Sequence, residues 1–206
     1  MQKLKIQLFL AGFLFVSAAP LLAQKIKLES GSLEFLKGEN SLNVEYVYDG
    51  LTVGKLTEKD YIAKKVAEAN ANEAGTGDRW LESWNSSRAR RFEPKFEELI
   101  NKQITNSKRE LKVEKNSEAN FTLILKTTNL EPGWNAAVVR APAEISTVAE
   151  FYSTKDRSKP LAVISIVKAP GRDAMGFDFD VGYRLQEGYA KTGKELGSYL
   201  AKKALK

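Results

Sequence analysis

The stretch Leu161-Ala162-Val163-Ile164-Ser165-Ile166-Val167 decides the fold, because a single serine is its only polar side chain. A near-continuous apolar run of this length, rich in β-branched residues, reads as a central strand covered on both faces. The neighbouring segments extend the same reading backwards. Ser153 to Lys159 is a charged turn, and Ala136 to Tyr152 is rich in Ala, Val, Ile and Thr, extended with a bend near Pro142. Pro132-Gly133 turns the chain once more. Before it, Phe121, Leu123 and Leu125 alternate with Thr122 and Lys126, interrupted only by Ile124. Strands that follow one another through short turns pair as hairpins.

The first half adds one strand pattern and three helical ones. Lys25 to Gly38 reads as a short strand and a turn around Gly31. Leu42, Val44, Tyr46 and Tyr48 alternate with Asn43, Glu45 and Val47, a strand with one buried face ending at Asp49-Gly50. Thr57-Glu58-Lys59-Asp60 resembles a capping box, and Ile62, Val66 and Ala69 follow at helical spacing, predicting a helix over 57–71. A flexible loop, Glu73 to Gly77, ends it. Asp78 is placed to cap a second helix carrying Trp80, Leu81 and Trp84. Pro94 opens a third with the stripe Phe96, Leu99, Ile100 and Ile104. The polar segment 106–119 reads as a connection. At the end of the chain, 183–204 sets Tyr189, Leu196 and Leu200 on one helical face, with Gly193 and Gly197 among them. Each glycine costs about 1 kcal/mol against Ala in a helix, which predicts close approach of this helix to the sheet. Lys194 and Glu195 between them speak against a membrane-dimer motif. The expected fold is α+β, a single domain over 24–206 with a largely antiparallel or mixed sheet packed by helices.

Residues 1–23 read as an export signal. Lys3 and Lys5 precede the apolar run Leu8 to Val16, which is too short to span a bilayer, and Leu21-Leu22-Ala23 offers a small residue before Gln24. The expected location is periplasmic, with secretion as the alternative. Net charge is +6; removing 1–23 takes away two lysines and no acids and leaves +4. That is ordinary solubility charge rather than the concentrated basic face of a nucleic-acid binder, so no nucleic-acid partner is expected. No stretch after the signal is long and apolar enough for a transmembrane helix.

The chain has no Cys and no His. Disulfide staples, thiol nucleophiles, a lipidated cysteine, Ser-His-Asp hydrolysis and His-ligated zinc are therefore excluded. Carboxylate, Ser-Lys, Tyr or Lys chemistry remains, and no cofactor or metal is expected. Asp178 and Asp180, in Phe177-Asp178-Phe179-Asp180, form the best carboxylate pair. Extended backbone sets them about 7 Å apart on one face, within the separation of about 6.5–9.5 Å used by inverting glycosidases. Any half-buried strand above two core phenylalanines has the same pattern.

Other combinations carry weaker signals. Trp80 and Trp84 lie one helical turn apart near Arg88 and Arg91, a set that stacks sugars or bases but equally describes core tryptophans with arginines reaching past them. Arg88-Ala89-Arg90-Arg91 is short and beside acids, as a solvated helix end is. Gly75-Thr76-Gly77-Asp78 resembles an anion-binding helix start without a P-loop ending. Ser165-Ile166-Val167-Lys168 matches a Ser-x-x-Lys spacing inside a strand, where residues three apart face opposite ways. Trp134, in Glu131-Pro132-Gly133-Trp134-Asn135, and Arg172, in the long loop 168–182, are the expected binding residues, because loops on a rigid sheet carry recognition; a Trp134 folded back as a lid on the core is the other reading of that turn.

Gly31 to Gly38, the Val44-Glu45-Tyr46-Val47-Tyr48 strand and the Trp84 to Phe96 region resemble a family of uncharacterised exported proteins of Bacteroidetes. The late strands and the helix motif Tyr189 to Leu196 are similar to the envelope α/β domains of penicillin-binding-protein activator lipoproteins and the amino-terminal domain of TolB. The resemblance implies a binding or adaptor module of the envelope rather than an enzyme, although those activators carry a lipid-bearing cysteine that this chain lacks. The expectation is an exported binding or accessory protein whose partner is an envelope protein or glycan. A carboxylate-dependent glycan hydrolase using Asp178 and Asp180 is the alternative.

Overall fold

In the computed structural model, residues 24–115, 118–136, 139–171 and 180–205 are described. The proposed signal 1–23 lies outside them. The described residues begin with β1 (Lys25–Gly31) and a 3₁₀ turn at Glu34–Leu36, followed by β2 (Ser41–Val47), β3 (Thr52–Val53) and β4 (Leu56–Thr57). Helices α1 (Glu58–Asn72), α2 (Thr76–Ser87) and α3 (Glu93–Asn106) come next. Then follow β5 (Lys112–Glu114), β6 (Phe121–Glu131), β7 (Trp134–Ala136), β8 (Val139–Ala141), β9 (Glu144–Ser153), β10 (Ala162–Pro170) and α4 (Val181–Lys203).

The main sheet is mixed and runs β1-β10-β9-β6-β2-β5, with β3 also on β6 and β4 on β3. From β1 to β6 every pairing is antiparallel; hairpin succession accounts for β6-β9 and β9-β10, whereas β1 joins β10 from the far end of the chain. The β6-β2, β2-β5 and β3-β6 pairs are parallel. Parallel pairing needs a long crossover, and the three helices between β4 and β5 supply it. This is a single α+β domain.

One face of the sheet packs on α3 and α4. Leu42, Val44, Leu123, Leu125, Ile145, Phe151, Ile164 and Ile166 are all buried there beneath Phe96, Ile100, Leu185, Tyr189, Leu196 and Leu200. The run 161–167 does form a central strand, between β1 and β9, but the expected cover on both faces is absent. Ala162, Ile164 and Ile166 are buried, Val163 and Ser165 are half-buried, and Val167 is 41% exposed. Val163 and Val167 lie on the solvated side of the pleat, where a β-branched side chain is favoured for strand geometry rather than burial.

Three local expectations also change. Gly193 and Gly197 do bring α4 close to a neighbour, but that neighbour is α3: an added Cβ would stand 2.5 Å from the Phe96 carbonyl oxygen and 2.7 Å from that of Ile100. Gly188 is the residue that meets the sheet, at Ile145. The segment 106–119 contains β5, whose signal is its pairing with β2 rather than its own composition. Lastly, α2 starts at Thr76 after Gly75 in left-handed geometry, so Asp78 lies in its first turn rather than at its cap.

Candidate functional site

Pro132 and Gly133 end the long strand β6 and aim the chain into the small β7-β8 hairpin, where Trp134 pairs with Ala141. Gly133 has φ +70, and a Cβ there would stand 2.7 Å from the Ala141 carbonyl oxygen. Only glycine fits both the left-handed backbone and the tight approach. This hinge presents Trp134 half-exposed, at 50%. Its indole borders a cleft of about 300 Å³ with Leu56, Tyr61, Lys64 and Glu131.

The opposite wall comes from α1. Thr57 caps that helix by accepting from the Asp60 N–H at 3.1 Å, and acids fill its first turn. Tyr61, Lys64, Lys65 and Glu68 then fall at i, i+3, i+4 and i+7, one helical face, and all four border the cleft. Glu68 lies 3.0 Å from Lys65 and 3.8 Å from Lys64. Burial pushes the Tyr61 hydroxyl up to about 12, so it is a neutral donor at any ordinary pH. Leu56, 37% exposed, and Lys55 come from the β3-β4 tip. Among the described residues Lys55 makes no ion pair.

Behind the cleft, Tyr61 packs on Trp84 at 5.3 Å between ring centroids and on Trp80 at 6.0 Å, and the two indoles stack at 5.4 Å. Trp84 is buried and donates to Glu58 at 2.8 Å. One guanidinium nitrogen of Arg88 reaches both oxygens of Glu58, at 2.5 and 2.6 Å, and the guanidinium lies 4.2 Å from the Tyr48 ring centroid. Tyr48 in turn donates to Glu93, which also receives Lys115 at 2.6 Å. Trp84 is therefore core with Trp80 half-buried against it, and Arg88 ties α1 and the end of the β2 segment to the α2-α3 junction rather than standing free on a solvated helix end.

That junction is a π-helical turn, Arg88–Phe92, in which the Glu93 N–H bonds to the Arg88 carbonyl. The wider turn relieves the clash that the Pro94 ring makes with a carbonyl four residues earlier, and keeps α2 and α3 nearly continuous. Sequence patterning has no signal for such a turn beyond the proline itself.

Of the carboxylate pair, Asp178 lies outside the described residues, as does Arg172. Asp180 caps α4, accepting from the Tyr183 N–H at 3.1 Å, and pairs with Arg91 at 2.5 Å. Burial raises its pKa, but the Arg91 hydrogen bond and charge and the helix N–H groups outweigh burial and hold the carboxyl below its ordinary value. It is a committed anion, unsuited to donating a proton near neutrality.

The remaining candidates have structural partners. The start of α2 is filled from within: Gly77 N–H donates to the Asn70 side chain at 2.8 Å, and the Thr76 hydroxyl donates to Ala69 O at 2.7 Å. Ser165 donates to Glu29 at 2.6 Å, whereas Lys168 lies beside Glu144 at 4.0 Å. The structure thus assembles Trp134 with Leu56, Tyr61 and Lys64, three residues that sequence reasoning missed. The helical face of Tyr61, Lys64 and Glu68 was visible in the spacing, but nothing in the spacing links it to Trp134. Among the described residues no helix is long and apolar enough to cross a membrane.

No protein-family description matches the chain, and neither does any curated protein. Solved structures with some likeness include the PelC dodecamer from Paraburkholderia phytofirmans, with a TM-score of 0.35 and 7% identity over 82% of this chain and 96% of that one. A Xanthomonas campestris protein of the DUF330 family gives a TM-score of 0.37 and 10% identity, covering 80% of this chain and 85% of that one.

Proposed function

We propose that this chain is an exported protein of the cell envelope that binds a partner, protein or glycan, without transforming it, and that Trp134 belongs to its binding surface. The observation that carries the reading is the half-exposed indole held by a glycine hinge over an aromatic and lysine-bearing cleft. Large, rigid aromatic side chains presented this way are what recognition surfaces use. The apolar start of the chain and the resemblance to envelope domains point the same way.

The hydrolase reading needs Asp180 as an acid or base, and the ion pair with Arg91 and the cap on α4 speak against that use. In-cell crosslinking with mass spectrometry, comparing wild type with Trp134→Ala, tests the binding reading. Specific crosslinks that disappear in a stably folded Trp134→Ala protein are expected. Crosslinks unchanged in that variant overturn it. A native amino terminus at or near Gln24 is expected, and an intact Met1 on a cytoplasmic protein removes the export part.

A further inference from the structure

We propose that the Trp134 cleft binds a carboxylated saccharide, a uronic-acid unit of a glycan chain; this rests on the reading of the protein as a binding module.

The cleft has the groups such a ring needs. A half-exposed indole offers a flat apolar face for the C–H side of a pyranose, with Leu56 bordering the same cleft. Tyr61 supplies a neutral hydroxyl donor. Glu131 uses one carboxylate oxygen to accept from the Gly133 N–H at 3.2 Å, while its other oxygen stands 3.6 Å from the position a Gly54 Cβ would take and makes no hydrogen bond among the described residues. That oxygen is an acceptor for sugar hydroxyls.

Charge selects the acidic sugar. Lys55, Lys64 and Lys65 face Glu68 and Glu131, and Glu68 is already held between Lys64 and Lys65. Lys55, exposed at the β3-β4 tip, has no carboxylate partner among the described residues. A ligand carboxylate answers that surplus of positive charge.

Size and edges favour a sugar over a peptide. At about 300 Å³ the cleft is small for the apolar face of a helix, which presents anchors over two turns. Strand addition needs an extended free edge, and β4 is only Leu56–Thr57 before α1 begins.

The test is fluorescence and calorimetric titration of the mature protein with trigalacturonate, beside neutral chitotriose and maltotriose. Saturable binding of trigalacturonate is expected, weakened about tenfold or more by Trp134→Ala, as loss of a stacking platform is. Lys55→Ala and raised salt are expected to weaken it about fivefold. The neutral sugars are expected to bind about tenfold less well. Equal affinity for neutral and acidic trisaccharides, or binding insensitive to both substitutions, overturns the inference. No saturable binding of trigalacturonate, with crosslinks still lost in Trp134→Ala, overturns the saccharide while the binding-module reading stands. If neither signal appears, both fall.

Discussion

Gly193→Ala sets a favourable local term against an unfavourable packing one, and the structure decides which wins. Replacing glycine by alanine inside α4 gains about 1 kcal/mol of helix propensity. The new Cβ, however, stands 2.5 Å from the Phe96 carbonyl oxygen and 3.1 Å from the Ile100 nitrogen, where ordinary contact begins at 3.4 Å. Both neighbours are backbone of α3, so no rotamer change relieves the overlap and the two helices must part by close to an ångström. The seam they share is fully buried: Phe96, Ile100, Leu196 and Leu200 are each 0% exposed. Overpacking of this kind costs about 1–3 kcal/mol, and a rigid backbone neighbour puts it at the upper end. The net expectation is a loss of about 2 kcal/mol, or about 4–8 °C in Tm for a domain of this size. Gly188→Ala is the internal control, because its Cβ would meet the Ile145 side chain at 2.9 Å, which has more freedom to adjust. Thermal and urea unfolding by circular dichroism measure both. A Gly193→Ala protein as stable as wild type, or more stable than Gly188→Ala, refutes the packing argument.

Glu58→Gln leaves the Arg88 guanidinium over Tyr48 with a neutral partner; because the Glu58 and Arg88 side chains are 20% and 30% exposed, the expected loss in urea unfolding is about 1–2 kcal/mol, less than for a fully buried pair. Asp180→Asn keeps a capping side chain and loses the pair with Arg91, whose partners are 48% and 33% exposed; solvent screening limits the cost to about 0.5–1 kcal/mol. Since folding depresses the Asp180 pKa below 3.8, its contribution is full above that value and is lost as the pH falls through the folded pKa. The gap between Asp180→Asn and wild type in a pH series of Tm should therefore be present at neutrality and close on acidification.

Much of this fold is legible along the chain because its signals are periodic. The alternation through Leu42 to Tyr48 and Phe121 to Leu125, the helix from Thr57 and the stripe Phe96, Ile100 and Ile104 each depend on residues within one element. What local pattern misses is what neighbours decide. Val163 and Ile164 look alike in sequence, yet one is half-buried and the other buried, because only one face of the sheet meets α3 and α4. Val113 is the single apolar residue of β5, too little for any period, and its burial comes from pairing with β2. Arg88 looks like a surface charge until Glu58, thirty residues away, supplies the partner. The cleft is illegible for the same reason: Leu56, Tyr61 and Trp134 meet only because the parallel β3-β6 pair brings Val53 against Leu130.

That pairing also separates the framework from the cleft. The α3-α4 seam and the sheet beneath it hold the core, whereas the cleft is assembled at the end of β6 from a two-residue strand pair, a glycine hinge and one face of α1. No residue of α1 is fully buried. Its position relative to Trp134 depends on β4, which runs straight into it, on Tyr61 against the two indoles, and on Glu58 against Arg88 and Trp84. Few buried apolar contacts and a strong polar tie describe an element that opens at lower free energy than the core. The lysines and Tyr61 that face Trp134 thus ride on a helix with no buried residue, held by the Glu58–Arg88–Tyr48 contacts and by Tyr61 against the indoles. Width of the cleft is then set by that tie together with the packing of Tyr61 on the two indoles, and not by the α3-α4 seam.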